Sequence, residues 1–149
     1  MKEKFIGGKG FDLWYLWHAI TPETRWDSPE NEIVMSVGPL GGITQYSGTG
    51  KTLICSISPL TDIPIDSNVG GYFGPLLKFS GWDAFELQGK SDKEILIFID
   101  GNNGRIQIEE ASEYPDDAHL LAEELTKKYS ENEDDMVNVS VACTGSGAK

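Results

Sequence analysis

Cysteine is scarce in this chain: Cys55 and Cys143 are the two among 149 residues. Two thiols cannot furnish the roughly four thiolates of a cubane iron–sulfur cluster, and their spacing is no CxxC pair. Each lies in an apolar run, so both are expected as buried free thiols, which suits a reducing cytoplasm. Spacing alone leaves a disulfide between them open. Basic residues are also few, 12 Lys and Arg against 24 Asp and Glu, for a net charge of −12. That balance argues against a nucleic-acid partner, because affinity for a duplex comes mainly from neutralised phosphates. No stretch approaches the ~18 apolar residues of a membrane span. No charged-then-apolar leader precedes Phe5, so neither membrane insertion nor export is expected and the location expected is cytoplasmic. The histidines, His18 and His119, lie far apart in sequence and read as structural. No Ser/His/Asp triad can be argued, and no Cys, His and carboxylate residues stand at metal-ligand spacing.

What is present is glycine, acid and alternating pattern. The length is one domain's worth. The acidic residues gather in 109–135, which reads as a solvated face. Glycine approach loops stand out at Gly7–Gly10, at Gly48–Gly50 and at Gly70–Gly71, and such loops bind through backbone rather than side chains. No internal repeat or low-complexity tract is visible.

Taken in order, Gly7-Gly8-Lys9-Gly10 opens a helix over 11–18 that places Phe11, Trp14, Tyr15 and His18 on one face. Thr21-Pro22 ends it. Residues 32–37 read as a strand, 41–50 as a flexible loop and 51–58 as the next strand. After the central stretch, 83–88 is a strand. Residues 94–99 are apolar enough to be expected buried on both faces. Asp100–Gly104 is a hairpin loop, and 105–109 a half-exposed edge strand carrying Ile106 and Ile108. Residues 116–129 form the clearest helix, with Ala118, Leu121, Ala122, Leu125 and Tyr129 on its apolar face. The alternation of Val137, Val139 and Val141 predicts a last strand over 136–143. The fold class expected is α+β: mostly antiparallel sheets with two or three packed helices.

The central stretch, Ser58 to Asp83, reads as a loop delivering backbone to a partner, followed by a helix. Asp66, Ser67 and Asn68 are helix-cap residue types. Gly70 and Gly71 remove side chains where backbone must come close. Pro75 suits a helix start and Gly81 a helix stop. A helix N-terminus behind such an approach is an anion site. Upstream, Ser47-Gly48-Thr49-Gly50-Lys51-Thr52 resembles a nucleotide loop. The P-loop's first glycine is Gln45 here, and 53–57 reads as strand where a helix is needed, so ATP binding is rejected.

Several segments together resemble the N-terminal domain of the aldehyde ferredoxin oxidoreductase family. They are Asp66-Ser67-Asn68-Val69-Gly70-Gly71-Tyr72-Phe73-Gly74-Pro75, Leu77 to Asp83, Phe5-Ile6-Gly7-Gly8-Lys9-Gly10, Ser28-Pro29-Glu30-Asn31, Val37-Gly38-Pro39-Leu40 and Ser58-Pro59-Leu60-Thr61. Gly89-Lys90 and Val141-Ala142-Cys143 fall in place as well, so the resemblance covers nearly the whole chain as a single domain. It implies two sheets and a tungsten, or molybdenum, bis-pterin cofactor, tungstopterin or molybdopterin, resting on this domain. The pterins are bridged through their phosphates by magnesium. It implies cofactor contacts from Gly8, Gly10, Lys51, Asn68, Gly70 and Gly71, with the Asn68 main-chain carbonyl at the magnesium ion and Gly70 against a pterin. No catalytic residue is implied in this chain.

The position of Lys51 is usually an arginine in the family; lysine keeps the charge and loses the bidentate fork. The family's 4Fe-4S cluster ligands lie in later domains, and its usual hairpin before Phe5 has no counterpart here. The chain therefore reads as one piece of a larger or split enzyme that oxidises aldehydes or related substrates and passes electrons to ferredoxin. It is not expected to act alone. The rival reading is a metal-free assembly module that keeps the fold and covers an apolar patch by forming a homo-oligomer.

Overall fold

The structure, a computed structural model, describes residues 3–111 and 113–148. The chain divides into two compact units, Met1–Asp92 with Ile99–Arg105, and Lys93–Phe98 with Ile106–Lys149. Both sheets are antiparallel and three α-helices accompany them, so the α+β reading holds.

In the first unit, β1 (Glu32–Val37), β2 (Thr52–Ile57), β3 (Pro64–Val69) and β4 (Ala84–Gln88) form a sheet in the order β3-β2-β1-β4. The register pairs Val34 with Cys55 and with Glu86, and Cys55 with Asp66. Directly paired residues share a sheet face. One face therefore carries Val34, Ser36, Leu53, Cys55, Asp66 and Asn68. Helix α1 (Lys9–Ala19) packs on β1 and β2 and buries Phe11, Asp12 and Leu16. This corrects the face expected for the helix: Trp14 and Tyr15 are half-buried, His18 is exposed, and the buried stripe is turned by about one position, with an acid in it. His18 Nδ1 donates to the Trp14 carbonyl at 2.6 Å and its ring lies 4.1 Å from that indole, a satisfied structural role.

The central stretch departs from its reading as a loop. Residues 64–69 are β3, paired to β2 along their whole length. Asp66, Ser67 and Asn68 therefore cap no helix. Helix α2 (Phe73–Phe79) starts later behind Tyr72, without a side-chain cap. It is also a short helix of seven residues, so the anion site expected at its start has little dipole behind it. The predicted stop is present. Gly81 has φ +92°, its N–H donates to the Lys78 carbonyl at 3.0 Å, and the Trp82 N–H reaches the Leu77 carbonyl at 3.2 Å. Those two bonds are the Schellman arrangement. Residues 41–50 are tied by turns: the Thr49 hydroxyl donates to the Ile43 carbonyl at 3.0 Å and the Gly42 N–H to the Thr49 carbonyl at 3.0 Å.

In the second sheet, β5 (Ile95–Asp100) pairs with β6 (Arg105–Glu110). A two-stranded ribbon has no room to bury both faces. The expectation of a fully buried strand at 94–99 is accordingly wrong: Ile95 is exposed and the rest of β5 is half-buried. Ile106 and Ile108 are exposed, more so than an edge strand packed on one side requires. Helix α3 (Ala118–Tyr129) turns Leu125 inward, and Tyr129 stacks on Phe98 with ring centroids 4.1 Å apart. The Asp117 carboxylate accepts from the N–H groups of His119 at 2.9 Å and Leu120 at 3.0 Å. Asp117→Ala leaves those two donors to water and is expected to lower the urea midpoint of the chain. Asp117→Asn should retain most of the cap.

The strand expected over 136–143 is replaced by a 3-10 turn, Asp134–Asn138, followed by irregular backbone. Alternation makes a strand only where a ladder partner exists, and no described strand pairs there. Short side chains take up the local backbone instead: Asp135 accepts from the Glu131 N–H and the Asn138 amide, and Asn132 from the Asp135 N–H. Cys143 is consequently exposed, against expectation, whereas Cys55 is buried, and both thiols are free. No helix among the described residues is long and apolar enough to cross a membrane.

Candidate functional site

Most of the residues marked by glycine and charge meet at one end of the β2–β3 pair. Asn68 lies opposite Leu53, and Val69 opposite Thr52. Gly70 and Gly71 then leave the sheet. β3 is the edge of its sheet, so one row of its backbone N–H and C=O groups has no strand partner. Two nearby glycines are required by packing. A Cβ on Gly50 would stand 2.9 Å from the Gly71 carbonyl oxygen, and one on Gly74 would stand 2.7 Å from Thr52 Oγ1. Gly70 and Gly71 differ from these. A Cβ at Gly70 would meet only Lys51 Nζ, at 3.8 Å, and one at Gly71 would meet nothing within 4 Å. Gly71 is held at φ +91°, where a side chain is strained. The backbone here is thus bare toward open space, with an ammonium group beside it.

Gly8 reaches the same strand pair from the helix side. It is buried, a Cβ there would stand 3.1 Å from Leu53 Cδ1, and its φ of 57° with ψ of −135° is a backbone state that favours glycine. Gly10 faces the Phe5 side chain, 3.0 Å from a built Cβ, and is not drawn to the β3 end. Of the six residues the resemblance marks, Lys51, Asn68, Gly70 and Gly71 line open surface. Gly8 backs that surface, and Gly10 packs against Phe5 away from it. Lys9, first in α1, adds a second ammonium group: its Nζ lies 2.5 Å from Asp66 Oδ1, which raises its pKa through the hydrogen bond first and the charge second.

The same unit buries two acids that the sequence does not mark: Asp12 on α1, and Glu32 at the end of β1 away from the Thr52–Val69 pair. Asp12 is fully buried between α1 and the sheet, and burial pushes its pKa up to about 6. The Ser36 hydroxyl and Cys55 thiol face it and oppose that shift, yet neither reaches either oxygen with hydrogen-bond geometry. Cys55 is pushed up to about 12 by burial and by the charges of Asp12 and Asp66, so it is an inert thiol. Glu32 is pushed up to about 7 by burial and then by the hydrogen bond and charge of neighbouring Glu86, while Gln88 Nε2 donates to its Oε1 at 3.0 Å. A signal for Asp12 existed: Gly8, Asp12 and Leu16 recur at i, i+4 and i+8, one helical stripe. Among the described residues no group of three or more His, Cys, Asp or Glu could hold a metal ion.

Comparison with known proteins gives a consistent set of likenesses. The family described as aldehyde ferredoxin oxidoreductase, N-terminal domain, matches residues 1–149. A tungsten-containing aldehyde ferredoxin oxidoreductase of Pyrococcus horikoshii is 35% identical over 132 residues, covering 85% of this chain and 21% of that protein. The WOR-like subunit of an aliphatic sulfonate oxidoreductase from Pyrococcus furiosus is 31% identical, over 75% of this chain and 18% of its own length. Among solved structures, the active site complex BamBC of benzoyl coenzyme A reductase with 1,5 dienoyl-CoA superimposes with a TM-score of 0.79 and 31% identity. It covers 85% of this chain and 19% of that one. The chain thus spans about a fifth of the length of these relatives.

Proposed function

Because the chain belongs to the aldehyde ferredoxin oxidoreductase family, as its N-terminal domain, we propose that it is the surface on which a tungsten pterin cofactor rests in a larger oxidoreductase. That enzyme oxidises aldehydes or related substrates, oxo-acid or aromatic compounds included, and delivers electrons to ferredoxin. The carrying observation is the bare backbone of Gly70 and Gly71 at the end of an edge strand, where added Cβ atoms would point into open space beside Lys51 Nζ. A large anionic ligand needs that combination of close backbone approach and nearby positive charge.

The residues present fit the group. Gly70 and Gly71 admit a pterin to van der Waals distance of the backbone. Lys51 offers a point charge to a phosphate or pterin oxygen where an arginine would offer a fork. The Asn68 main-chain carbonyl would be the oxygen this chain offers to a magnesium ion bound with the cofactor. Gly8 sets the start of α1 behind that surface, against Leu53, whereas Gly10 packs on Phe5. The cofactor, with tungsten or molybdenum at its centre, would supply the redox chemistry, and an iron–sulfur cluster carried outside this chain would take the electrons onward. We assign no acid, base or nucleophile to this chain: Asp12 is buried under α1 and the thiol of Cys55 is held protonated. The rival, a metal-free assembly module, has no observation of its own in its favour.

The chain alone is expected to be colourless and unable to reduce viologen with an aldehyde. A bis-pterin held on one side leaves its other face in water, whereas binding sites usually bury ~70–90% of a ligand. Assembled with the remaining parts of the enzyme, it should carry tungsten or molybdenum in stoichiometric amount and show aldehyde-dependent viologen reduction. A brown, active preparation of these 149 residues alone, or an assembled enzyme without either metal, would overturn the proposal.

A further inference from the structure

We infer that Lys9, steered by Asp66, is a second cationic contact for the anionic cofactor, on the side of Asn68 opposite Lys51. The inference rests on the cofactor reading above and names a residue of this chain that the site's glycine pattern does not mark. Lys9 is the first residue of α1, directly after Gly8, whose contact with Leu53 sets the helix start against the β2–β3 pair. Leu53 is the register partner of Asn68, and Asp66 stands two places earlier on β3, on the same sheet face. The Asp66 carboxylate holds Lys9 Nζ at 2.5 Å, yet the Lys9 side chain stays 54% exposed. A partner is thus fixed on one side of the ammonium group while the other side stays open. An ammonium group has three N–H donors and Asp66 Oδ1 takes one, so donors are left to turn toward an incoming oxygen. Lys51 Nζ lies beside Gly70. The two lysines therefore flank Asn68, one reached through Asp66 and one through Gly70. In a chain of net charge −12, Lys51 brings positive charge to one side of Asn68, and Lys9, whose charge Asp66 offsets, brings N–H donors to the other. The arrangement also answers the missing arginine fork: two point charges flank the site where one bidentate group usually stands.

The test uses the assembled enzyme with Lys9→Ala, Lys9→Arg and Gly70→Val. Cofactor content is read as tungsten per chain by elemental analysis and as pterin by fluorescence after oxidative release. Thermal unfolding of the cofactor-free chain is read alongside. Lys9→Ala should lower bound tungsten and pterin on the order of tenfold, the loss of one charge-assisted hydrogen bond. Lys9→Arg should restore most of it, and the cofactor-free unfolding temperature should stay near that of the unsubstituted chain. A fully loaded Lys9→Ala enzyme beside an empty Gly70→Val enzyme would overturn this inference and leave the cofactor reading standing. Full loading of both variants would overturn both. If Lys9→Ala and Lys9→Arg lose cofactor only in step with a lowered unfolding temperature, the lysine is a tether between helix and strand, and the inference falls.

Discussion

Gly70→Val is expected to empty the assembled enzyme of tungsten and pterin while this domain keeps its fold. The structure separates two kinds of glycine. At Gly50 and Gly74 an added Cβ would strike backbone or the Thr52 side chain, so substitution there is a folding defect. At Gly70 the same atom meets only the flexible end of Lys51, at 3.8 Å, and the backbone is not in the left-handed region. Valine therefore fits the chain and intrudes only on whatever approaches from outside. A branched side chain between a pterin and the backbone it should touch removes van der Waals contact and pushes Lys51 aside. A loss of tenfold or more in cofactor content is about 1.4 kcal/mol or more of binding. Elemental analysis of the purified assembly, with circular dichroism of the same sample, checks both halves. A Val variant that loads fully, or one that loses its secondary structure, contradicts the expectation.

Lowering the pH from 8 to 5 should stabilise the chain, through Asp12 and Glu32. Both carboxyls have folded-state pKa values above their unfolded values: about 6 against 3.8 for Asp12, and about 7 against 4.5 for Glu32. Below the unfolded values both states are protonated and neither group affects folding. Between the two values the folded state holds the proton more tightly, so stability falls as pH rises. Above the folded values the full cost of burying a charge is present. For Asp12, which is fully buried, that cost is on the order of 3 kcal/mol. Glu32 shares its shift with Glu86, so the two carboxyls titrate as a pair. Urea unfolding at pH 5 and pH 8 measures the difference. Asp12→Asn, neutral at every pH, should raise stability at pH 8, leave it nearly unchanged at pH 4, and flatten the profile between. Equal destabilisation by Asp12→Asn at both values would mean that the carboxyl makes a hydrogen bond an amide cannot replace, and would end this account.

Elements whose signals are local were readable from the chain alone. β1, β2 and β4 follow short apolar runs between turn residues, α3 follows its apolar stripe and its Asp117 cap, and Gly81 ends α2 where a left-handed residue is needed. The candidate site was legible only in part. Gly70, Gly71 and Lys51 announced themselves by residue type. That Gly50 and Gly74 are glycines for packing, whereas Gly70 is a glycine facing outward, depends on which atoms stand across from each, and spacing carries no such information.

The remaining features needed partners distant in sequence. Asp66, Ser67 and Asn68 have the composition of a cap and form a strand because β2 offers them a ladder, which outweighs a local preference for turns. Residues 136–143 have the alternation of a strand and form none, because no described strand pairs with them. Asp12 sits on the buried stripe of α1 because the helix turns the Gly8–Asp12–Leu16 line to the sheet, although the aromatic line beside it is more apolar. Composition and local pattern thus settled the fold class, the acidic surface and the poverty of thiols, and marked where the glycines gather. Packing across the sheet settled which helix face is inside, which glycines are free, and which carboxyls leave water. Those three outcomes depend on contacts between residues far apart along the chain, and the cost of burying a backbone group or a charge is set by the neighbour found there.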